Sequence, residues 1–277
     1  MKFNIFIVKP HEYMYSDAFQ ELGELLHYSL IELGHESSLK INHIELSAVN
    51  IIIGCHLLSL DLISKLPAST IILNTEQLEH NEMGWNSKIY AWASKYETWD
   101  YSPKNINSFH QFGIKHVRYF QIGYQRELQR LKKQQEQDID VLFYCCINYR
   151  RNEVLQSLKK TGLNLKILTN IFGVERDSYI ERSKVVLNLH FFQSEIFEVV
   201  RVFYLMSNGV ALVGEVNPTT SIESRFLPGF FPSEKKDLVT SCIQLVKDHQ
   251  LREQTQEKAL KSIQIYPQSV FTHELIC

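Results

Sequence analysis

The 277-residue chain sets 29 Lys and Arg against 31 Asp and Glu, a formal net charge of −2, so it lacks the basic excess of a nucleic-acid binder. At 44% hydrophobic and 22% charged it has the composition of a globular protein long enough for two modest domains. No apolar run approaches the roughly 18 residues of a transmembrane segment, the short run ending at Pro10 is not a signal peptide's apolar region, and five cysteines without metal-ligand spacing fit a reducing compartment; a soluble, cytoplasmic protein is expected.

In chain order, KFNIFIV (2–8) reads as a compact strand. A helix is expected from about Ser16, with Phe19, Leu22, Leu26, Leu30 and Leu33 at helical spacing and Gly34 as its stop. VNIIIG (49–54) and STIILN (69–74) are continuous apolar runs, as in parallel strands covered on both faces. KIYAWASKYETWDYS leads to another helix and then to HVRYFQIGY (116–124). This alternation predicts an α/β domain with a parallel sheet.

QRELQRLKKQQEQDID (125–140) is polar and Gln-rich, and suits either a solvated helix or a connector, because a fresh α/β series starts directly after it. DVLFYCCI (140–147) is a strand in which Cys145 and Cys146 are expected to pack. RRNEVLQSLKKTG is a helix ended by Gly162, LNLKILTN a strand, ERDSYIERS a short helix and KVVLNLH a strand. SEIFEVVRVFYLMSNG is then a helix, VALVGE a strand, and two helical stretches occupy about Lys235 to Ile265. Two domains are expected, with the hinge between Gly123 and Asp140.

In open parallel sheets ligands bind beyond the carboxyl ends of the strands. In the second domain those positions are Asn148 to Arg151, then Ile171, Phe172 and Gly173, then His190 to Ser194. Neither GxGxxG after a first strand nor GxxxxGK[ST] anywhere is present, which argues against a dehydrogenase or a phosphate-loop ATPase. A helix starting at Ser194 would offer free N–H groups and its dipole to a phosphate, about 0.3–1 kcal/mol at an exposed site. Arg150 and Arg151 can bring guanidinium forks to the same anion. Glu195 and Glu198 share one helix face and suit a sugar or ribose diol, with Arg201 following. Taken singly these residues have plainer readings: dipole complements, a Glu198–Arg201 ion pair, a satisfied interior His190, a solvated arginine pair.

The order and spacing of NTEQL (74–78), WDYSPKNI (99–106), GIKHVRYFQIGY (113–124), DVLFYCCINYRRNEVL (140–155) and VERDSYIERSKVVLNLHFFQSEIFEVVR (174–201) resemble GT-B-type glycosyltransferases. The likeness is to the compact group-1-like enzymes and their spore-maturation-type relatives. It implies an α/β, GT-B-like fold of two Rossmann-like domains facing a cleft. The acceptor-side domain would span 1–124, a connector 125–139, and the nucleotide-sugar domain 140–262, with a tail over 263–277 returning to the first domain. The implied activity is transfer of a sugar from a nucleotide diphosphate sugar to a glycan, lipid-linked sugar, peptide or small molecule, with no metal and no cofactor besides the donor. The alternative is a catalytically silent sugar-nucleotide-binding or assembly protein.

By the same likeness Asn148 would belong to the donor site with Arg150 and Arg151, which face the diphosphate, while Phe172 and Gly173 lie near the base. His190, Ser194, Glu195, Glu198 and Arg201 would meet phosphate and sugar. One departure stands out: counting back from Gly209, the two glutamates common in retaining group-1 enzymes fall on Tyr204 and Ile196. In the first domain His11, Tyr13 and Asp17 follow one strand and Asn74 and Glu76 another. Glu76 or His11 is the expected general base, Glu76 having a capping or interdomain hydrogen bond as its plainer role.

Overall fold

The computed structural model describes residues 1–78, 84–192 and 196–277. It contains two compact units, Met1–Gln125 with Pro267–Cys277, and Arg126–Tyr266.

In unit 1, strands β1 (Lys2–Ile7), β2 (Glu36–Ile41), β3 (Val49–Ile53), β4 (Ile71–Asn74), β5 (Glu97–Asp100) and β6 (Val117–Tyr119) form a parallel sheet in the order β2-β1-β3-β4-β5-β6. The apolar runs supply its inner strands: Ile51, Ile52, Ile53, Ile72 and Leu73 are buried because helices cover both faces. Buried Asn4 and Asn50, facing each other on β1 and β3, satisfy each other through an Nδ2–H···Oδ1 bond of 2.8 Å. Helix α1 (Gln20–Glu32) buries Leu22, Leu26 and Leu30, and begins after a tighter turn at Met14–Phe19 rather than at Ser16. Helices α2 (Asn86–Lys95) and α3 (Pro103–Gln111) follow β4 and β5 and bury Trp92 and Phe109 in the core.

In unit 2, strands β7 (Ile139–Tyr144), β8 (Leu165–Leu168), β9 (Ser183–Asn188), β10 (Leu212–Glu215) and β11 (Phe231–Ser233) form a second parallel sheet, ordered β11-β10-β9-β7-β8. Helices α4 (Tyr149–Lys159), α5 (Gly173–Glu181), α6 (Val199–Ser207), α7 (Leu238–Lys247) and α8 (His249–Gln264) belong to the same unit. Val141, Phe143, Val185, Leu187 and Val213 pack with Leu155, Leu158, Leu238 and Leu245 in one core cluster.

The helix expected from Ser194 starts at Val199. Ile196 instead pairs in an isolated parallel bridge with Ser221, which holds the chain non-helical up to Glu198. Ser194 and Glu195 lie outside the described residues.

The polar stretch after Gly123 is not a long helix. Beyond a single turn at Arg126–Leu128 it is irregular, and side chains of unit 2 hold its backbone. Asn208 Oδ1 accepts from the N–H groups of Arg130 (2.8 Å) and Leu131 (2.9 Å), and Glu181 Oε1 from that of Lys132 (2.8 Å). The C-terminal helix α9 (Gln268–Ile276) belongs to unit 1. Thr272 hydrogen-bonds Ser29 of α1 at 2.8 Å, Gln268 Oε1 accepts from Gly123 N–H at 2.6 Å, and Arg118 donates to the carbonyls of Glu274 and Leu275.

Each sheet has one place where neighbouring strands continue in opposite directions across it: β1/β3 in unit 1 and β7/β9 in unit 2. Loops leaving such a pair diverge and open a crevice beyond the carboxyl ends, which is where ligands bind in this topology.

Candidate functional site

In unit 2 the crevice is built by the segments after β7 and β9. Asn148 caps α4, its Oδ1 accepting from Arg151 N–H at 3.0 Å, while its Nδ2 donates to the carbonyl of Phe191 at 2.6 Å. This ties the two segments together and turns Arg151 inward. Arg151 is fully buried, and its guanidinium donates to the carbonyls of Leu189 (2.6 Å) and Cys146 (2.8 Å) and to Glu198 Oε1 (2.7 Å). The expectation that it faces a diphosphate is therefore corrected. A buried guanidinium needs all its donors satisfied, and the loop carbonyls and Glu198 satisfy them.

Glu198 is the residue just before α6, yet it does not cap that helix. It lies between two cations, Arg151 and Arg201, the latter 2.8 Å from Oε2. Burial alone would push its pKa up, but Arg201 and Arg151 outweigh burial and hold it below the ordinary carboxylate value. Arg201 also reaches Asn188 Oδ1 (2.8 Å) and Cys145 Sγ (2.9 Å). Cys145 and Cys146 thus lie just past β7 rather than inside it. A hydrogen bond from Cys146, with the Arg201 and Arg151 charges, holds the Cys145 thiol well below its ordinary value. Arg150 pairs with Glu215 at the end of β10 through both carboxylate oxygens, and Glu215 Oε2 also accepts from His190 N–H at 3.0 Å.

His190 lies within this lattice, where Asn188 Nδ2 and Glu198 Oε2 are also without a hydrogen-bond partner among the described residues. The His190 side chain is buried (1% exposed), yet among the described residues neither ring nitrogen has a hydrogen-bond partner. Burial lowers its pKa, against the raising effect of Glu198 and Glu215. Phe172 and Gly173 sit half-buried at the start of α5, beyond the end of β8. Tyr204 and Ile196, where the sequence departs from the paired glutamates, are buried; the Tyr204 hydroxyl donates to Asp177 at 2.7 Å.

Unit 1 brings together residues from three strand ends. Asn74 and Asp100 are register partners at the carboxyl ends of β4 and β5, and Asn74 Nδ2 donates to Asp100 Oδ2 at 2.6 Å. Asn105 of α3 donates to both Asp100 oxygens at 3.1 Å, and Ser102 N–H to Oδ1 at 2.7 Å. Burial pushes Asp100 up to about 8 against these three donors. The amides of Asn74 and Asn105 also grip the Glu76 carbonyl, at 2.9 and 2.8 Å, and Asn105 Oδ1 accepts from Leu78 N–H. The segment after β4 is thereby fixed, and the Glu76 side chain keeps 26% of its surface exposed. Burial of the rest pushes Glu76 up to about 7, against a hydrogen bond from Thr75.

His56 completes the cluster. Gly54, at φ +90, turns the chain sharply off β3; a Cβ there would be strained and would press on Phe19. The tight turn that follows brings His56 inward, where it packs on Trp85 (ring centroids 4.4 Å apart) with Nε2 3.8 Å from Glu76 Oε1. His56 is 2% exposed, its Nε2 has no hydrogen-bond partner among the described residues, and burial together with Lys88 pushes its pKa down to about 4. His11, by contrast, is 95% exposed and nearest to Glu12, so no packing fixes its ring. His56, Asp100 and Asn105 escaped the sequence reading. The available signal was the sharp Gly54 turn after an apolar strand, which places the residues that follow on the ligand edge.

Among the described residues no group of three or more His, Cys, Asp or Glu side chains is placed to hold a metal ion, and no helix is long and apolar enough to cross a membrane. No family model matches the chain. It is 28% identical over 194 residues, 69% of its length, to an uncharacterized protein, L137, of Acanthamoeba polyphaga mimivirus, and it spans 26% of that protein. Among solved structures, HepE of Anabaena in complex with UDP and glucose is similar with a TM-score of 0.61 at 11% identity, covering 100% of this chain and 98% of HepE. A glycosyltransferase from Rickettsia africae gives 0.55 at 10% identity (99% and 97% covered). Sucrose-phosphate synthase from Thermosynechococcus elongatus gives 0.55 at 8% identity (100% and 98% covered). With its two parallel sheets and these likenesses, the chain has the fold of GT-B-type glycosyltransferases.

Proposed function

We propose that the protein transfers a glycosyl group from a nucleotide diphosphate sugar to an acceptor hydroxyl without a bound metal. The observation that carries this reading is His190: a buried imidazole with both nitrogens unpartnered, at the switch point of unit 2, beside a lattice of fixed charges. Buried polar atoms are almost always satisfied, so a group of this kind at a ligand edge is reserved for a ligand. The likeness to a protein that holds UDP and glucose on the same fold gives the ligand its class.

In the reaction, the bond between the anomeric carbon and the diphosphate oxygen breaks, and its electron pair leaves with the nucleoside diphosphate. The acceptor oxygen bonds to the anomeric carbon, and its proton passes to a base. His190 is assigned to the sugar and phosphate. Arg150, partly exposed beside Glu215, is assigned to the diphosphate, and Phe172 and Gly173 to the base of the nucleotide. Glu76, pushed up to about 7, is assigned the proton, since a base serves best with a pKa near the working pH. Arg151, Glu198 and Arg201 frame the site.

A thermal-shift panel of UDP-, GDP-, ADP- and CMP-linked sugars tests the reading. A donor at 100 times its Kd should stabilise the fold by about 2.7 kcal/mol, and His190→Ala should abolish that stabilisation. Slow donor hydrolysis would accompany it in an enzyme. Binding without turnover towards any acceptor would favour a silent binding protein.

A further inference from the structure

We propose that His56 and Glu76 form a seat for one ligand hydroxyl on unit 1, with the Glu76 carboxylate taking the hydroxyl proton and His56 Nε2–H holding its oxygen; this rests on the glycosyl-transfer reading above for its purpose, though not for its geometry. A separation of 3.8 Å is too long for a direct hydrogen bond between the two side chains. A ligand oxygen bridging the two at ordinary hydrogen-bond distance would stand at the apex of a triangle on that 3.8 Å base, with its two bonds at roughly a right angle. Among the described residues His56 Nε2 has no hydrogen-bond partner, and Glu76 Oε1 receives a long bond, 3.4 Å, from the Thr75 hydroxyl.

The seat is selective by its donor and acceptor count. It offers one donor and one acceptor, which a hydroxyl matches with its O–H and lone pairs, whereas an ammonium has donors alone. The charge state follows from what packs around it. Burial, with Lys88, keeps the imidazole neutral above about pH 4, and the Cys55 thiol, pushed up to about 12 chiefly by burial, stays protonated beside Glu76. A neutral imidazole orients the oxygen without lowering the basicity of the carboxylate, as a lysine or arginine in its place would. The Asn74–Asp100–Asn105 cluster holds the Glu76 backbone, so the carboxylate is presented from a fixed point.

Glycerol serves as the hydroxyl probe, with the His56 ring and the Glu76 carboxyl followed by isotope-edited NMR on the full chain. Glycerol should shift both signals with one common affinity, and His56→Ala should weaken that affinity about tenfold, the effect of losing one hydrogen bond of ordinary strength. His56→Gln, which keeps an N–H donor, should restore most of it, and Glu76→Gln should remove the response at His56. A loss on His56→Ala that His56→Gln does not restore, at unchanged folding, would overturn the assignment. UDP-glucose binding is measured on the same samples. If UDP-glucose binds and glycerol moves neither signal, the seat is wrong and glycosyl transfer stands; if glycerol moves both and no nucleotide sugar binds, the seat stands and the transfer reading falls.

Discussion

The two units place charged groups at the same topological position and treat them oppositely. Among the described residues at the switch point of unit 2, the carboxylates each have a guanidinium: Glu198 has Arg151 and Arg201, and Glu215 has Arg150. At the carboxyl edge of unit 1 no cation accompanies Asp100 or Glu76 among the described ion pairs except the neutral-leaning His56, and amides and backbone N–H groups do the bonding. Compensation locks charge in place; burial without compensation drives the group towards its neutral form. Unit 2 is therefore suited to holding a charged ligand in a preset field, and unit 1 to exchanging a proton near neutral pH.

The largest effect should follow from breaking the compensated side. Arg151→Ala leaves Glu198 facing a single cation and strips donors from the Leu189 and Cys146 carbonyls, and should cost about 3–5 kcal/mol of stability. Glu198→Gln should cost a comparable amount, because it leaves the buried Arg151 and the partly buried Arg201 without their shared anion. The pair Arg151→Met with Glu198→Leu should be less damaging than the sum of the single changes, since removing both charges spares the desolvation of a lone one. All three tryptophans, Trp85, Trp92 and Trp99, lie in unit 1, so their fluorescence reports that unit alone, and far-UV circular dichroism is needed for unit 2. Single variants with unchanged denaturation midpoints would mean that the lattice is not a stabilising one.

Much of this contrast could not be read from the sequence, for identifiable reasons. Inner strands such as β3 and β4 announce themselves because both of their faces are buried. The strands β2 and β5 do not: β2 is an edge strand with half-exposed polar residues, and β5 is four residues long and ends on a buried aspartate. Glu76, Arg150 and His190 could be named because they follow legible strands. Whether an arginine points outward or inward is decided by the residue capping its helix and by carbonyls about forty residues away, as with Arg151, Asn148 and Leu189. His56 was hidden because a histidine inside CHLL resembles any buried residue until the Gly54 turn aims it.

On the uncompensated side the smaller effect is one of pH. The folded-state pKa of Glu76 is raised from 4.5 to about 7, so between those values the folded state holds a proton that the unfolded state has released. Stability from this group is complete below about pH 4.5, falls as pH rises through the window and levels off above about 7. Glu76→Gln should remove that slope, making the wild-type chain lose on the order of 2–3 kcal/mol relative to the variant between pH 5 and pH 8. Asp100, raised to about 8, contributes a slope of the same sign that the variant retains. Tryptophan-monitored denaturation across this range measures the difference. Parallel curves for the two chains would show that Glu76 titrates as an ordinary surface carboxylate.

The smallest effect sharpens the comparison within a single sheet edge. His11 and His56 follow adjacent strands, β1 and β3, and differ in what surrounds them. His56 is enclosed by Trp85 and Phe19 and approaches Glu76, whereas among the described residues His11 has a 3.9 Å approach to Glu12, itself exposed, and no other contact of this kind. An exposed imidazole that packing does not orient loses little when removed, and surface substitutions of this kind fall within about 0.5 kcal/mol. His11→Ala should leave the tryptophan-monitored stability of unit 1 and the glycerol response of His56 unchanged, and donor turnover within about twofold, under half a kcal/mol in barrier. A tenfold loss of turnover at unchanged stability would show that bound ligand orders His11, and would return the proton to the residue that follows the first strand.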